Sequence, residues 1–349
     1  MELKIKDKTI GKNQPVFIIA ELSGNHNQNF ELAVEMIKAA KEAGADAVKI
    51  QTYTPETITM DCDSELFQVR EKEVWGAETL YQIYQKNYTP WEWQPKLKKI
   101  AEDLGLIFFS APFDYTAVDF LEEMNVPAYK IASYEISDIP LIEYIASKGK
   151  PVFMSTGLAT IEEITEAVEV CKKQGNNQII LLKCVSAYPT PLEDVNLKVI
   201  PDLKDKYGCV TGLSDHTLGI SVPVASVALG AEVIEKHFVL DKSIGKVDTV
   251  HCSLDAQEFK EMVKSVREAE KALGKITYDL TEKIKEERKA MRSLFFVSNV
   301  KEGETITEQH VRSVRPAAGL PTKNISQVLG KKARLDIEKG TPVSWDLIE

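Results

Sequence analysis

The chain has 349 residues, 44% of them hydrophobic and 28% charged, with a formal net charge of −10. That composition supports a large core plus a smaller second unit and is not that of a disordered chain. The acidic balance argues against a nucleic-acid-binding surface, which would cluster Lys and Arg, but leaves room for an anionic substrate in a locally basic site. The opening stretch MELKIKDKTIGKNQ has no apolar signal core. No apolar run approaches the ~20 residues a membrane helix needs. The expectation is a cytoplasmic chain without a targeting or membrane segment. Five scattered cysteines, at 62, 171, 184, 209 and 252, form no CxxC pair and read as reduced thiols.

In chain order, eight short apolar runs recur: PVFIIAEL (15–22), DAVKIQTY (46–53), LIFFSAP (106–112), AYKIAS (128–133), PVFMSTG (151–157), IILLKCVS (179–186), VTGLSDH (210–216) and VIEKHF (233–238). Near-continuous apolar runs of this length are the mark of strands buried on both faces of a parallel sheet. Helical periodicity fills the gaps. Residues 31–44 place Leu32, Met36, Ile37 and Ala40 on one face and stop at Gly44. Residues 160–175 start with Thr160 and Glu163 in capping-box spacing and end in two lysines and a glycine. Residues 255–274 set Phe259, Met262, Val263, Val266 and Leu273 at helical spacing. Eight strands alternating with helices predict a (β/α)8 TIM barrel over residues 1–275. A doubly wound open sheet is the alternative, disfavoured by the absence of a glycine-rich dinucleotide fingerprint. Residues 276–290 are charged and read as a linker. Residues 291–349 have short, turn-punctuated strands and read as a small separate module with a marginal core.

In a parallel barrel, catalytic groups sit at the C-terminal strand ends. All eight runs end in polar residues: Glu21 and Ser23; Lys49 and Gln51; Ser110; Lys130 and Ser133; Ser155 and Thr156; Lys183, Ser186 and Tyr188; Ser214, Asp215 and His216; Glu235, Lys236 and His237. Lys49, Lys130, Ser133, Ser155 and Ser214 suit a phosphate or carboxylate, lysine supplying charge and hydroxyls supplying directed donors. A solvated strand end is the bland alternative for any one lysine. It weakens for Lys49 and Lys130, which interrupt apolar runs where an unpaired charge is costly. His216 and His237 close adjacent strands, either as ligands of one divalent metal with a carboxylate such as Glu21 or Asp248, or as a hydrogen-bonded pair. His26 is equally a packed loop residue or a catalytic group, and His251 and His310 read as surface residues. Residues 66–93, rich in tryptophan, form either a packed insertion or a sugar-stacking wall. The absence of GxSxG and P-loop patterns disfavours the corresponding acyl-transfer and nucleotide-hydrolysis chemistries.

Together, IAELSGNHN (19–27), AVKIQTYTP (47–55), YKIAS (129–133), STG (155–157), SAYPTP (186–191), GLSDHT (212–217) and IEKHF (234–238) resemble the sialic acid synthase family. VRSVRP (311–316) and LGKKARLDIEKGTPV (329–343) resemble that family's antifreeze-like (SAF) C-terminal domain. The resemblance covers essentially the whole chain, with the motifs in family order. It implies a metal-dependent condensation of phosphoenolpyruvate with an N-acylated amino sugar, giving a nonulosonic acid and phosphate by C–O cleavage. The implied cofactor is a divalent metal, typically Mn2+, on His216 and His237. Glu21, Lys49, His216 and His237 match catalytic positions. Lys49, Lys130, Ser133, Ser155 and Ser214 match phosphoenolpyruvate-binding positions, and Gln51, Glu135, Tyr188, Asp248 and Arg315 match sugar-binding ones. Arg315 would reach the site of a partner subunit, which implies a domain-swapped homodimer. ELSGNHNQ, KIQTYTPETIT and WGAETLYQIYQKNYTPWEW resemble the branch whose sugar is 2,4-diacetamido-2,4,6-trideoxy-altrose. Relatives take N-acetylmannosamine or a 2,4-diacetamido-mannose isomer. Ser186 stands where the family often has Asn, which fits a different sugar.

Two competing functions stay distinct. A metal-dependent barrel aldolase would act without phosphoenolpyruvate. A carbohydrate-binding protein would have no use for a metal beside an anion pocket.

Overall fold

The computed structural model describes residues 2–69, 78–243 and 248–349, the side chain of residue 248 excepted. The chain divides into two compact units, Met1–Gly274 and Lys275–Glu349.

The first unit opens with a hairpin of β1 (Glu2–Ile5) and β2 (Lys8–Gly11). Eight strands then close into a parallel barrel: β3 (Phe17–Glu21), β4 (Ala47–Thr52), β5 (Ile107–Pro112), β6 (Tyr129–Ile131), β7 (Val152–Ser155), β8 (Ile179–Lys183), β9 (Val210–Asp215) and β10 (Val233–His237). They are hydrogen-bonded in chain order, and β10 returns to pair with β3. The eight apolar runs are these eight strands, and closure removes the open-sheet alternative. Each strand is followed by a helix: α1 (Phe30–Glu42), α2 (Gln94–Asp103), α3 (Tyr115–Glu123), α4 (Ile139–Ser147), α5 (Ile161–Lys173), α6 (Val199–Tyr207), α7 (Ser221–Ala228) and α8 (Ala256–Leu273). The capping box expected at α5 is present, with Thr160 and Glu163 bonding reciprocally, and α8 has its own in Asp255 and Glu258.

Strand alternation places side chains on two sides. Outward residues such as Ile18, Ala20, Val48 and Phe108 pack under α1, α2 and α8. Inward residues Phe17, Ile19, Phe109, Phe153, Ile180, Leu182 and Val233 form an apolar plug, completed by Leu3, Ile5 and Ile10 of the hairpin. Phe153 stacks on both Phe109 and Phe17, at centroid distances of 5.0 and 6.4 Å. Gly212 is inward and must stay small, because a Cβ there would lie 2.2 Å from the Val233 carbonyl oxygen. The lumen is thus sealed on one side, and its polar residues crowd the other.

In the second unit, β11 (Ser293–Phe296) and β12 (Val311–Val314) pair antiparallel over a small core of Leu294, Phe296, Val300, Ile306, Val328, Ile337 and Val343. Among the described residues, no helix is long and apolar enough to cross a membrane.

Candidate active site

The period of two sorts the polar strand tips. Glu21, Lys49, Lys130, Ser155, Ser214, Glu235 and His237 alternate in phase with the apolar plug, two or four residues further along each strand. The register sets Glu21 opposite Lys49, His237 opposite Glu21 and Ser214 opposite Glu235. Their positions are therefore fixed by the sheet ladder rather than by loops.

Four charges of alternating sign run across this layer. Lys49 Nζ lies 2.5 Å from Glu21 Oε2 and 3.7 Å from Glu235 Oε1. Lys130 Nζ lies 3.8 Å from the same Glu235 oxygen and donates to Ser155 Oγ at 2.7 Å. Ser214 donates to Glu235 at 3.3 Å. All are buried, so each charge stands only because of its neighbours. Burial works against the Lys49 ammonium, but Glu21 and Glu235 outweigh it and raise its pKa. Burial dominates at Lys130 and lowers its pKa despite Glu235. Burial penalises the Glu235 carboxylate, and Lys130 and Lys49 reverse that and hold it low. Its Oε2 has no hydrogen-bond partner.

His216 follows β9 directly and His237 ends β10; their ring centroids are 5.2 Å apart. Tyr188 covers His216 at 4.3 Å. His216 Nδ1 bonds the Val185 carbonyl at 2.9 Å, with Cys184 Sγ at 3.6 Å. Burial alone would raise the Cys184 thiol, and His216 draws it down to about 7 instead. His237 Nδ1 lies 3.0 Å from Ser23 Oγ. Burial, then the His216, Lys49, Lys236 and Lys130 charges, push the His237 pKa well down and favour neutral imidazole.

The donor set fits a divalent metal. Both histidines have Nδ1 engaged by the protein, which is how a ligand histidine is oriented, and both leave Nε2 available. The centroid separation suits two imidazoles sharing one ion at about 2.1 Å from each nitrogen. Among the described residues, no group of three or more His, Cys, Asp or Glu could hold an ion. Two histidines would be the protein's share, with other positions open to water and substrate, as a Lewis-acid site requires.

Around this centre, Ser133 Oγ accepts the Gly157 N–H at 3.1 Å, and Gln51 Nε2 donates to Ser23 Oγ at 3.4 Å. Glu135 sits in the short turn Ser133–Glu135, half-buried, with Oε2 unpartnered. Burial raises its carboxyl to about 7, against the pull of Lys130. Ser186 Oγ is likewise buried without a partner. Asp248 begins a short turn, but its side chain lies outside the described residues. Arg315 is an exposed residue of the second unit.

Expected rim residues including Lys236, Asp215, Ser110 and Lys183 face away from the lumen, because the alternation that turns Glu235 and His237 inward turns their neighbours outward. Lys236, fully buried, bonds Asp215 at 2.5 Å and the Thr217 carbonyl. Ser110 bonds Thr52 and the Ile50 carbonyl. His26 is a packed residue: Nε2 meets Thr89 Oγ1 at 2.8 Å, Nδ1 accepts the Gln28 N–H, and burial lowers its pKa to about 4. Trp93 packs on His26 and Phe30, and Trp91 stacks on Phe120, so these two rings belong to a packed insertion. Trp75 lies outside the described residues. His251 is exposed, whereas His310 is half-buried and accepts the Thr307 N–H. Glu235 was legible as a polar tip, but its place between two lysines needed the register.

Residues 36–278 match the NeuB family and residues 292–349 the SAF domain. The chain is 48% identical over 328 residues to a pseudaminic acid synthase of Campylobacter jejuni subsp. jejuni, covering 94% of this chain and 95% of that one. It is 43% identical over 337 residues to a pseudaminic acid synthase of Helicobacter pylori, covering 96% and 98%. Among solved structures, an N-acetylneuraminic acid synthetase from Leptospira borgpetersenii superposes with a TM-score of 0.72 at 35% identity, covering 82% of this chain and 95% of that one.

Proposed function

The chain belongs to the NeuB family, and on that premise we propose that it condenses phosphoenolpyruvate with 2,4-diacetamido-2,4,6-trideoxy-altrose to give pseudaminic acid and phosphate. The observation that carries this reading is the pair of buried lysines, 49 and 130, held by Glu235 beside two histidines on one barrel rim. A polyanionic, phosphorylated enol acid needs fixed cations and hydroxyl donors, and Lys49, Lys130, Ser133, Ser155 and Ser214 offer both. His216 and His237 would hold a divalent metal, Mn2+ in this proposal, which supplies Lewis-acid polarisation of the sugar's aldehyde when bound. Carbon 3 of the enol attacks the aldehyde carbon, water adds at carbon 2, and phosphate departs with its C–O bond. In this proposal Glu21, ion-paired with Lys49, takes a proton from that water. Gln51, Glu135, Tyr188 and Asp248 are assigned to the sugar.

The second unit is proposed to dock on another copy of the chain, bringing Arg315 to the partner's sugar. The exposed Ile276 and Tyr278, at 97% and 96%, support this by presenting apolar surface that a partner would cover. Phosphoenolpyruvate is a cytoplasmic metabolite, and five cysteines that form no disulfide suit that compartment.

The test is phosphate release with phosphoenolpyruvate and Mn2+, comparing the diacetamido-altrose, the diacetamido-mannose and N-acetylmannosamine. Selective turnover of the altrose sugar is expected. Preference for another sugar would overturn the substrate assignment, and turnover independent of phosphoenolpyruvate would overturn the reaction.

A further inference from the structure

Ser23 has backbone φ of +46°, a left-handed conformation that a non-glycine residue adopts at a cost. The loop that holds it is anchored on two sides. Asn25 Nδ2 donates to the Phe238 carbonyl at 2.9 Å and to Ser253 Oγ at 3.2 Å, and His26 bonds Thr89. The result is a side chain turned back into the barrel, between Glu21 and His237.

One assignment of protons satisfies every group in the hydrogen-bond inventory there. Ser23 Oγ lies 2.9 Å from Glu21 Oε1, 3.0 Å from His237 Nδ1 and 3.4 Å from Gln51 Nε2. Gln51 can only donate through that nitrogen. Glu21, ion-paired with Lys49, can only accept, and it also accepts the Ser23 N–H at 3.1 Å. The hydroxyl has one proton and two lone pairs. Its proton goes to Glu21, so His237 must donate from Nδ1, and every valence is filled. The opposite arrangement would take the hydroxyl proton from the carboxylate and place the imidazole proton on Nε2, where no metal could bind.

We infer that Ser23 is a positioning residue that links Glu21 to His237 and fixes the imidazole with its proton on Nδ1, leaving the Nε2 lone pair for the metal. His216 needs no such relay, because the Val185 carbonyl performs the same task. The inference rests on the reading of His216 and His237 as metal ligands. It deepens that reading by naming a hydroxyl interposed between carboxylate and histidine, where a carboxylate more often bonds the histidine directly.

The experiment uses the full chain and two variants, Ser23→Gly and Ser23→Ala. Long-range 15N–1H spectra of the metal-free protein report which nitrogen of His237 carries the proton, with His237→Ala providing the assignment. Wild type is expected to show the Nδ1–H form, and both variants a mixture of tautomers. Mn2+ titration followed by the free-ion EPR signal should show weaker binding by roughly 10- to 100-fold in both. Ser23→Gly relieves the positive φ, so its melting temperature should equal or exceed wild type, which a merely structural role for Ser23 would not produce. An Nε2–H tautomer in wild type, or variants that bind Mn2+ as tightly as wild type, would overturn the inference. If wild type and His237→Ala bind Mn2+ equally, the metal reading itself fails, whatever the variants do.

Discussion

Glu21 and Lys49 are register partners on adjacent barrel strands, and their side chains meet inside the lumen with Nζ 2.5 Å from Oε2. The proposed function divides two tasks between them, and these separate kinetically. Lys49→Met removes a cation from the anion pocket and leaves Glu21 and Glu235 facing each other. We expect kcat/KM to fall at least ~100-fold, equivalent to about 3 kcal/mol, and phosphoenolpyruvate to lose its protection against thermal unfolding. Glu21→Gln keeps the shape and spares the pocket, so that protection should persist while kcat falls roughly 100- to 1,000-fold. Steady-state kinetics with melting curves in phosphoenolpyruvate check both. Loss of protection in Glu21→Gln would mean the glutamate belongs to the binding pocket.

Glu235 is the shared counter-ion of Lys49 and Lys130. Removing one partner of a buried pair typically costs about 3–5 kcal/mol. Glu235→Gln should therefore melt several degrees lower when ligand-free. An anionic ligand restores the missing charge, so phosphoenolpyruvate should raise the variant's melting temperature by more than it raises wild type's. Equal shifts would show that the lysines' field is not what holds the anion.

The barrel was legible because strands buried on both faces must be apolar along their length, and eight such runs separated by helical periodicity suit a closed (β/α)8 sheet, though only the pairing of β10 with β3 excludes an open one. The site was legible only to the strand tip. Glu235, Lys236 and His237 are consecutive, yet the middle residue turns outward to Asp215 while its neighbours enter the lumen. Which phase faces inward depends on barrel closure, not on any local preference. The same ambiguity of phase makes Ser110 and Asp215 look like rim residues in the sequence. His26 looked equally catalytic because its silence depends on Thr89, 63 residues away. Ser23 was legible only as one more polar strand tip; its place between Glu21 and His237 depends on its φ and its three hydrogen-bond neighbours.

Glu135 should leave a signature in the pH dependence of stability. Burial raises its carboxyl from 4.5 to about 7 in the folded protein. Between those values the folded state holds a proton that the unfolded state has released. Stability from this group is thus full below about pH 4.5 and lost as pH rises through 7. The total is on the order of 3 kcal/mol. Glu135→Gln should match wild type near pH 5 and melt higher at pH 8. A variant that melts lower than wild type at pH 8 would place a stabilising carboxylate there instead.

His26 shifts the other way. Burial lowers its imidazole from 6.5 to about 4, so between those values the unfolded state binds the extra proton. Its contribution is present above pH 6.5 and lost as pH falls through 4, again on the order of 3 kcal/mol. Across pH 4.5–6.5 it opposes Glu135, so the contributions of these two groups largely offset each other there. His26→Gln, which removes the titration, should expose the downward slope of Glu135 in melting curves recorded against pH. An unchanged profile would mean that His26 titrates normally.

Gly157 reserves space beneath the proposed phosphoenolpyruvate. A Cβ there would lie 2.6 Å from Ser186 Oγ, 2.9 Å from Ser133 Oγ and 3.0 Å from Cys184 Sγ. These atoms belong to packed strand ends and have little room to retreat. Gly157→Ala should displace the Ser133 hydroxyl that its own N–H now meets, raising KM for phosphoenolpyruvate about tenfold or more, a loss of about 1.4 kcal/mol. Ser186 Oγ has no partner to lose, so Ser186→Ala alone should leave stability nearly unchanged or slightly improved. Combined with Gly157→Ala, it removes the worst collision, and the double variant should recover part of the lost affinity. Strict additivity of the two effects would mean that Ser186 and Gly157 do not contend for the same space.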